Sequence, residues 1–417
     1  MRAFLSRLAE GLGLRYASPA MFEARRAHAE RPEPTRLKEV ALLFLQLGTT
    51  AFGGPAAYVA MMQDEVVRRR HWLTDAEFID RLSASNLIPG PTATELAVHI
   101  GYRQAGVAGL LLAGTCFIVP AALISRLLAW AYVRFGMLPQ VAGLLYGVKP
   151  VIIAVVVEAL WKLGRVAVKT PLLGAVAVVA VAASAAGINP LVVLFGAGIV
   201  VVVAHVITKR ASATPSFLAA VTPGSLASTA TTVAAAVMVA PFSLTALFLF
   251  FLKIGAIIFG SGYVLLAFLE TDLVHHWHWL THKQLLDAVA VGQVTPGPVF
   301  STATFIGYVL GGVPGAVVAT VGIFLPAFVL VAMSGPIIPH VRRSAVAGAF
   351  LDGVNVGSLA LMAVVTWILA RAAIVDISSV ALAVAGAFLL LRFRVNSAWL
   401  VLGGALIGLA ITSVLGR

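Results

Sequence analysis

The sequence predicts an all-α polytopic membrane protein built from two inverted-topology repeats with paired re-entrant or broken helical hairpins. Three observations carry that prediction. Hydrophobic residues make up 60% of the chain and charged residues only 11%, with a mean hydropathy of +0.99, beyond what a soluble domain with a polar coat reaches. The strings Phe52-Gly53-Gly54-Pro55, His71-Trp72-Leu73-Thr74 and Pro89-Gly90-Pro91 return at an offset of 207 residues as Phe259-Gly260-Ser261-Gly262, His278-Trp279-Leu280-Thr281 and Pro296-Gly297-Pro298, a register too long for chance. Finally, Arg68-Arg69-Arg70-His71 stands where the second copy has His275-His276-Trp277-His278. A loop with three fixed charges once and none in its twin is expected if it faces the cytoplasm once and the outside once.

In chain order, residues 1–36 are polar and lack the apolar run and small-residue cleavage site of a signal peptide, so they are expected to remain as a cytoplasmic tail. Residues 37–208 form the first repeat, 209–242 a linker whose Ala-, Ser- and Thr-rich stretch 216–240 supplies a single weak crossing, and 243–417 the second repeat. Apolar stretches near the 20 residues or so that a spanning helix needs lie at 106–130, 141–163, 171–187, 191–207, 313–334, 345–369, 374–391 and 397–415. Eight Lys or Arg residues before position 40 put the tail inside. Counting crossings from there brings Lys162, Arg165, Lys169, Lys209, Arg210, Arg342, Arg343, Arg392 and Arg394 inside, and leaves Arg371 and Arg417 outside, which inverts the halves.

The tail and the Arg68–Arg70 loop share a side only if residues 37–62 enter and leave by one face. Two crossings would take about 40 apolar residues, so 37–62 reads as a re-entrant hairpin broken at Phe52–Pro55. Residues 84–103 form a second hairpin with Pro89-Gly90-Pro91 at its tip, and 243–268 and 286–309 are their partners from the opposite face. The rival arrangement makes all four single crossings and moves the Arg68–Arg70 loop outside.

The net charge of +12 lies mostly in short segments between apolar stretches, where it sets orientation, and does not point to nucleic acid. Cys116 is the only cysteine, so no disulfide framework or cysteine metal cluster exists within one chain. There is no Gly-rich Lys-Ser/Thr loop for ATP and no haem or flavin motif; an enzyme and a cofactor are not expected.

Pro-Gly-Pro inside an apolar segment removes two backbone donors and ends any helix that reaches it. Such breaks persist in a membrane only where they are buried in protein or line a watery cavity. A helix starting after the break aims its positive end at that cavity, and this forms an anion site. The candidate substrate-binding residues are therefore Gly53, Gly54 and Pro55; Pro89, Gly90, Pro91, Thr92 and Thr94; Gly260, Ser261 and Gly262; and Pro296, Gly297, Pro298 and Ser301, with Thr302 beside it. Discontinuous helices at matched positions point to a transporter.

Lys149, its counterpart Asn355, and Lys253, which stands where the first half has Gln46, lie within apolar segments and join the candidate site; for the lysines, snorkelling to an interface is the alternative. Arg103 and Arg126 either help neutralise an anion or snorkel. Glu95 and Glu158 are candidate proton carriers, although Glu158 has Lys162 one turn on as an intrahelical partner. His275, His276, His278 and His282 could ligate zinc or copper, but they lack a fixed ligand spacing, and Trp72 and Trp279 suggest an interfacial amphipathic helix instead, so no metal is assigned. Asp80 and Asp287 occupy matched positions, where they could cap or clamp the hairpins.

The duplicated Phe-Gly-Gly-Pro, His-Trp-Leu-Thr and Pro-Gly-Pro pattern resembles the chromate ion transporter family in its long two-domain form, from about residue 37 to 415. Phe259-Gly260-Ser261-Gly262 departs from the first-half form by losing its proline, so that break is softer. The resemblance implies a multi-pass protein of the bacterial inner membrane, N-terminus in the cytoplasm, that exports chromate on the proton motive force and gives chromate resistance. Sulfate is the near isostere, and a sulfate uptake carrier or a passive oxyanion channel are the alternatives. The expected partners are chromate or sulfate, the lipid bilayer and a second copy in a homodimer, with no nucleic acid.

Overall fold

The computed structural model describes residues 34–51, 55–136, 138–211, 242–259, 264–393 and 395–415. Among them every regular element is helical. The first half holds α1 (Pro34–Thr50), α2 (Pro55–Gln63), which runs into a π-helical turn at Asp64–Arg69, α3 (Asp75–Ser85), α4 (Thr92–Phe135), α5 (Pro139–Ala167), α6 (Pro171–Ala185) and α7 (Pro190–Ala211). The second half repeats the series as α8 (Leu244–Ile257), α9 (Leu265–Phe268) with its π-helical turn Leu269–His276, α10 (His282–Val294), α11 (Thr302–Arg343), α12 (Ala345–Ala373), α13 (Ile377–Phe393) and α14 (Ser397–Leu415). Each described helix thus has its counterpart seven labels on.

The shared His-Trp-Leu-Thr string is a turn followed by a cap, not the interfacial amphipathic helix expected of it. His71 (φ 52°) and His278 (φ 54°) take the left-handed conformation, which ends each π-helical turn and swings the chain back. The Trp72 amide then reaches the Val66 carbonyl at 2.8 Å and the Trp279 amide the Leu273 carbonyl at 2.9 Å. Thr74 and Thr281 follow as N-caps of α3 and α10, each in a capping box, with Glu77 and Gln284 respectively.

α4 and α11 are each two limbs. Non-helical Ala105-Gly106 and Gly311-Gly312 separate them, with Gly106 at φ 59° and Gly312 at φ 61°. The limbs fold back on each other: Gly101 packs on Gly109 and Gly307 on Gly315 with no room for a side chain between, and Thr304 and Thr320 hydroxyls hydrogen-bond at 2.7 Å. The short limb 92–104 and α3 therefore make a helical hairpin with Pro89-Gly90-Pro91 at its tip, and the long limb is the crossing expected at 106–130.

Among the described residues six helices are long and apolar enough to cross a membrane, lying in α4, α5, α7, α11, α12 and α14. All eight expected crossings are helical, but α6 has 15 residues and its counterpart α13 has 17, short of the usual span of about 20. The expected crossing at 216–240 and residues 1–33 of the tail lie outside the described residues.

The halves interlock by exchange. α5 packs on α13 and α14 of the other half, and α12 packs on α6 and α7. Glycine makes this possible: Gly147 meets the backbone of Gly404 and Gly408, and Gly353 meets that of Ala197 and Gly198, the close approach that small residues give membrane helices. Polar anchors repeat too. The Tyr146 hydroxyl donates to Asp376 at 2.7 Å, and at the equivalent place Lys169 pairs with Asp352 at 3.0 Å.

Candidate functional site

The four helix breaks meet in two pairs across the halves. Ala51 ends α1, and Gly48 just before it packs on the Phe117 carbonyl, partway along the long limb of α4. Gly255 packs on the Ile323 carbonyl of α11 in the same way. The Gly90 amide donates to the Ile258 carbonyl at 2.7 Å, and the Gly297 amide to the Ala51 carbonyl at 3.0 Å. Both glycines have positive φ, 139° and 88°. The breaks thus lie at mid-length of the crossings, as a site reached from both faces requires.

These bonds commit two of the expected anion donors, Gly90 and Gly297, to chain carbonyls. Further on, the Thr94 and Glu95 amides turn to the Pro91 carbonyl, at 2.8 and 3.0 Å, and the Ser301 amide to that of Pro298 at 2.9 Å. The helix start at Thr92 and the 3-10 turn Val299–Ser301 keep their positive ends aimed at the breaks. Gly53, Gly54, Gly260, Ser261 and Gly262 lie outside the described residues, and Pro55 opens α2.

The two tips differ in chemistry. At the first, Glu95 is fully buried, and its carboxyl lies against the Cα of Gly90, where a methyl group would collide with it. Neither Glu95 oxygen is hydrogen-bonded among the described residues, and the same holds for Thr94 Oγ1 and His99 Nε2. Glu95 and His99 are one turn apart on one helix face. At the second tip, Ser125 Oγ of α4 donates to Ser301 Oγ at 3.2 Å and lies 3.5 Å from Thr295 Oγ1; all three side chains are buried. Ile88 and Val331, the counterparts of Thr295 and Ser125, instead pack with Val98 and Leu110 in an apolar cluster beside Thr94 and Glu95.

A buried ion pair lies further along the same seam. Lys149 Nζ of α5 is 3.0 Å from Asp287 Oδ1 of α10, with 13% of the lysine side chain and none of the aspartate exposed. The contact lacks hydrogen-bond geometry and is coulombic. The Tyr132 hydroxyl donates to the other oxygen, Oδ2, at 3.0 Å. Tyr132 is two helical turns beyond Ser125, and Asp287 about as far before Thr295, so the pair sits about 10 Å from the hydroxyl cluster. Asn355, the counterpart of Lys149, is exposed.

The structure does not bring the second lysine to this seam. Lys253 pairs with Asp272 of the π-helical turn at 2.8 Å and lies over the Phe250 ring, while His276 contacts the other Asp272 oxygen at 3.3 Å. Glu158 pairs with Lys162 within α5, the intrahelical alternative. Arg103 faces Glu77 at 3.8 Å, and with Arg36, Glu39, His71, Trp72 and Gln104 it lines a polar cleft of about 290 Å³ at the outer end of the short limb. Arg126 is exposed beside Tyr308.

Ser125, Tyr132, Thr295 and His99 carried no signal in the sequence, since single polar residues inside apolar runs have no spacing to read. Asp287 was marked only by its match to Asp80.

A family described as chromate transporter matches the chain over residues 38–203 and 245–409, one match per half. The chain is similar to a chromate transport protein of Cupriavidus metallidurans, at 35% identity over 89% of this chain and 92% of the relative. It is 33% identical to a probable chromate transport protein of Synechococcus elongatus, over 82% of this chain and 86% of the relative. Identity to a chromate transport protein of Pseudomonas aeruginosa is also 33%, over 82% of each chain. No solved structure matches.

Proposed function

The chain belongs to the chromate transporter family, and from that premise we propose that it is a secondary transporter that exports chromate across the bacterial inner membrane, driven by the proton motive force. The observation that carries this reading is the reciprocal pairing of helix breaks at mid-length of the crossings, with an unpartnered carboxyl at one tip and three hydroxyls at the other.

In this reading chromate lies between the tips. The helix starts at Thr92 and after Pro298 supply positive dipole ends, and Thr94, Ser125, Thr295 and Ser301 offer hydroxyls to a tetrahedral oxyanion. Gly53, Gly54, Pro55, Gly260, Ser261 and Gly262 are further proposed contacts, on their duplicated sequence pattern. Lys149 balances the dianion from about two turns away, and its partner Asp287 holds it there when the site is empty. Lys253 acts at a distance, as a charge anchored beside the second-half break. Glu95 is the proton carrier. Among the described residues it has no ion pair to break before it takes up or releases a proton, whereas Glu158 is engaged by Lys162. In this reading the N-terminus is inside, and the basic cleft of Arg36 and Arg103 is the cytoplasmic mouth. One half then rocks against the other about the paired breaks.

The test is flux of labelled chromate in proteoliposomes with an imposed pH gradient. Accumulation above the equilibrium level that collapses with a protonophore is expected, and sulfate is expected to compete. Flux that only equilibrates the two compartments would make the protein a channel.

A further inference from the structure

We propose that Glu270, His275 and His282 form a binding site for one zinc-class divalent cation, at the N-terminal end of α10. The three lie where the second-half π-helical turn meets the start of α10. Glu270 Oε1 is 2.7 Å from His282 Nδ1 and 3.4 Å from His275 Nε2, and one ligand atom from each residue falls within 4.8 Å of the others. Tetrahedral zinc, with bonds of about 2.0–2.1 Å to nitrogen and oxygen, sets its ligand atoms about 3.3 Å apart. Small side-chain rotations therefore suffice to admit the ion. Two imidazoles and one carboxylate are a zinc donor set that leaves the fourth position to water.

An independent observation points to a ligand here. The Glu270 side chain is 1% exposed, neither of its oxygens makes a well-formed hydrogen bond among the described residues, and its close polar neighbours are the imidazole nitrogens of His282 and His275. A buried carboxylate faced by two half-exposed imidazoles is costly while they are neutral, and a cation bound by all three answers that cost. Both imidazoles remain about half exposed, so the ion has a way in.

The first half supplies the contrast. Its equivalent positions hold Gln63, Arg68 and Asp75, and there the Gln63 Nε2 donates to Asp75 Oδ1 at 3.0 Å. That hydrogen bond ties the π-helical turn to the following helix without a cation, and Arg68 would repel one. In the second half the same tie is built from metal ligands.

The experiment is Co²⁺ and Zn²⁺ titration of the untagged, chelator-treated full chain in detergent. Visible d–d bands of tetrahedral Co²⁺ should appear at one equivalent and be displaced by Zn²⁺. Affinity should fall more than about 100-fold in His275→Ala, His282→Ala and Glu270→Gln, because even supporting groups around a metal are worth about 10–100-fold. His276→Ala and His278→Ala should bind as wild type does. Wild-type protein that gives no tetrahedral spectrum or no stoichiometric uptake overturns the site, whether or not the variants fold. Equal loss in His278→Ala overturns it as well.

Discussion

The Gly90 amide hydrogen-bonds the Ile258 carbonyl at 2.7 Å, and Gly297, 207 residues on from Gly90, repeats the bond at 3.0 Å to Ala51, 207 residues back from Ile258, with the halves exchanged. Each Pro-Gly-Pro tip is thus anchored on the first break of the other half. Neither repeat completes this pairing alone, and a shift of one half against the other must move both tips together.

The tip glycines should be intolerant of any side chain. Gly90→Ala combines a φ of +139° with collision against the Glu95 carboxyl, and Gly297→Ala would press on Ala121 at 2.9 Å. Backbone strain of this kind costs about 1–3 kcal/mol before the clash is counted. Gly106→Ala and Gly312→Ala sit in backbone that is likewise nearly restricted to glycine (φ 59°, ψ −145° and φ 61°, ψ −148°) but meet nothing within 4 Å, so they carry the backbone strain without the clash. Thermal melts in detergent should rank both tip variants below both kink variants; the reverse order would mean the tips are looser than the structure has them.

The duplicated motifs made the architecture legible, because a Gly/Pro break or a Thr cap acts through the backbone and repeats wherever the backbone repeats. Thr74 and Thr281 cap alike although Glu77 and Gln284 differ. The charged site was less legible because it breaks the symmetry. Lys149 was visible as a lysine in an apolar run, but its partner Asp287 lies in the other half and Tyr132 is an ordinary aromatic by sequence. The intramembrane lysines were expected to converge, and each has a separate acid instead, Asp287 for Lys149 and Asp272 for Lys253.

Breaking the buried Lys149–Asp287 pair from one side should destabilise by about 3–5 kcal/mol, since it strands a charge away from water. Lys149→Ala and Asp287→Ala should each melt early, and the double variant should recover much of the loss. Chromate flux separates the roles. A lysine that only pairs structurally would let the double variant transport again, whereas a lysine that balances the substrate leaves it stable and inactive.

Glu95→Gln keeps shape and volume and removes only the exchangeable proton. Its carboxyl has no hydrogen-bond partner to lose among the described residues, so the melting temperature should change little. Uphill transport driven by a pH gradient should fall at least about tenfold, in the range that a positioned proton-transfer group contributes, while chromate exchange at equal pH persists. Full proton-driven transport by this variant would remove Glu95 from the coupling.

The α3 cap should be sensitive to acid and its twin should not. The backbone hydrogen bond from Thr74 holds the Glu77 carboxyl below its ordinary pKa, with help from the Thr74 hydroxyl, Arg81 and Arg103, against the opposing effect of burial. A depressed folded pKa adds stability above the unfolded value, near 4.3, and loses it as pH falls through the folded value. Thr74→Ala should cost about 1 kcal/mol at neutral pH, and less once Glu77 is protonated. Thr281→Ala should cost the same at both, because Gln284 does not titrate. Melts at neutral and strongly acidic pH compare the two directly.

The inverted arrangement predicts that Arg69 and His276 face opposite sides of the membrane. Each lies in the π-helical turn just before the left-handed histidine of its half, and both are exposed. The first-half turn carries Arg68, Arg69 and Arg70, paired with Asp64 and Glu65, while the second-half turn carries none, the asymmetry expected of a cytoplasmic loop and its outside twin. With Cys116, the single native thiol, replaced by alanine, Arg69→Cys and His276→Cys can be probed by an impermeant maleimide on intact cells and on inverted vesicles. Labelling of His276→Cys from outside and Arg69→Cys only in inverted vesicles is expected. Labelling of both from one side would turn the inverted repeat into a parallel one, with both helix-break pairs entered from the same face.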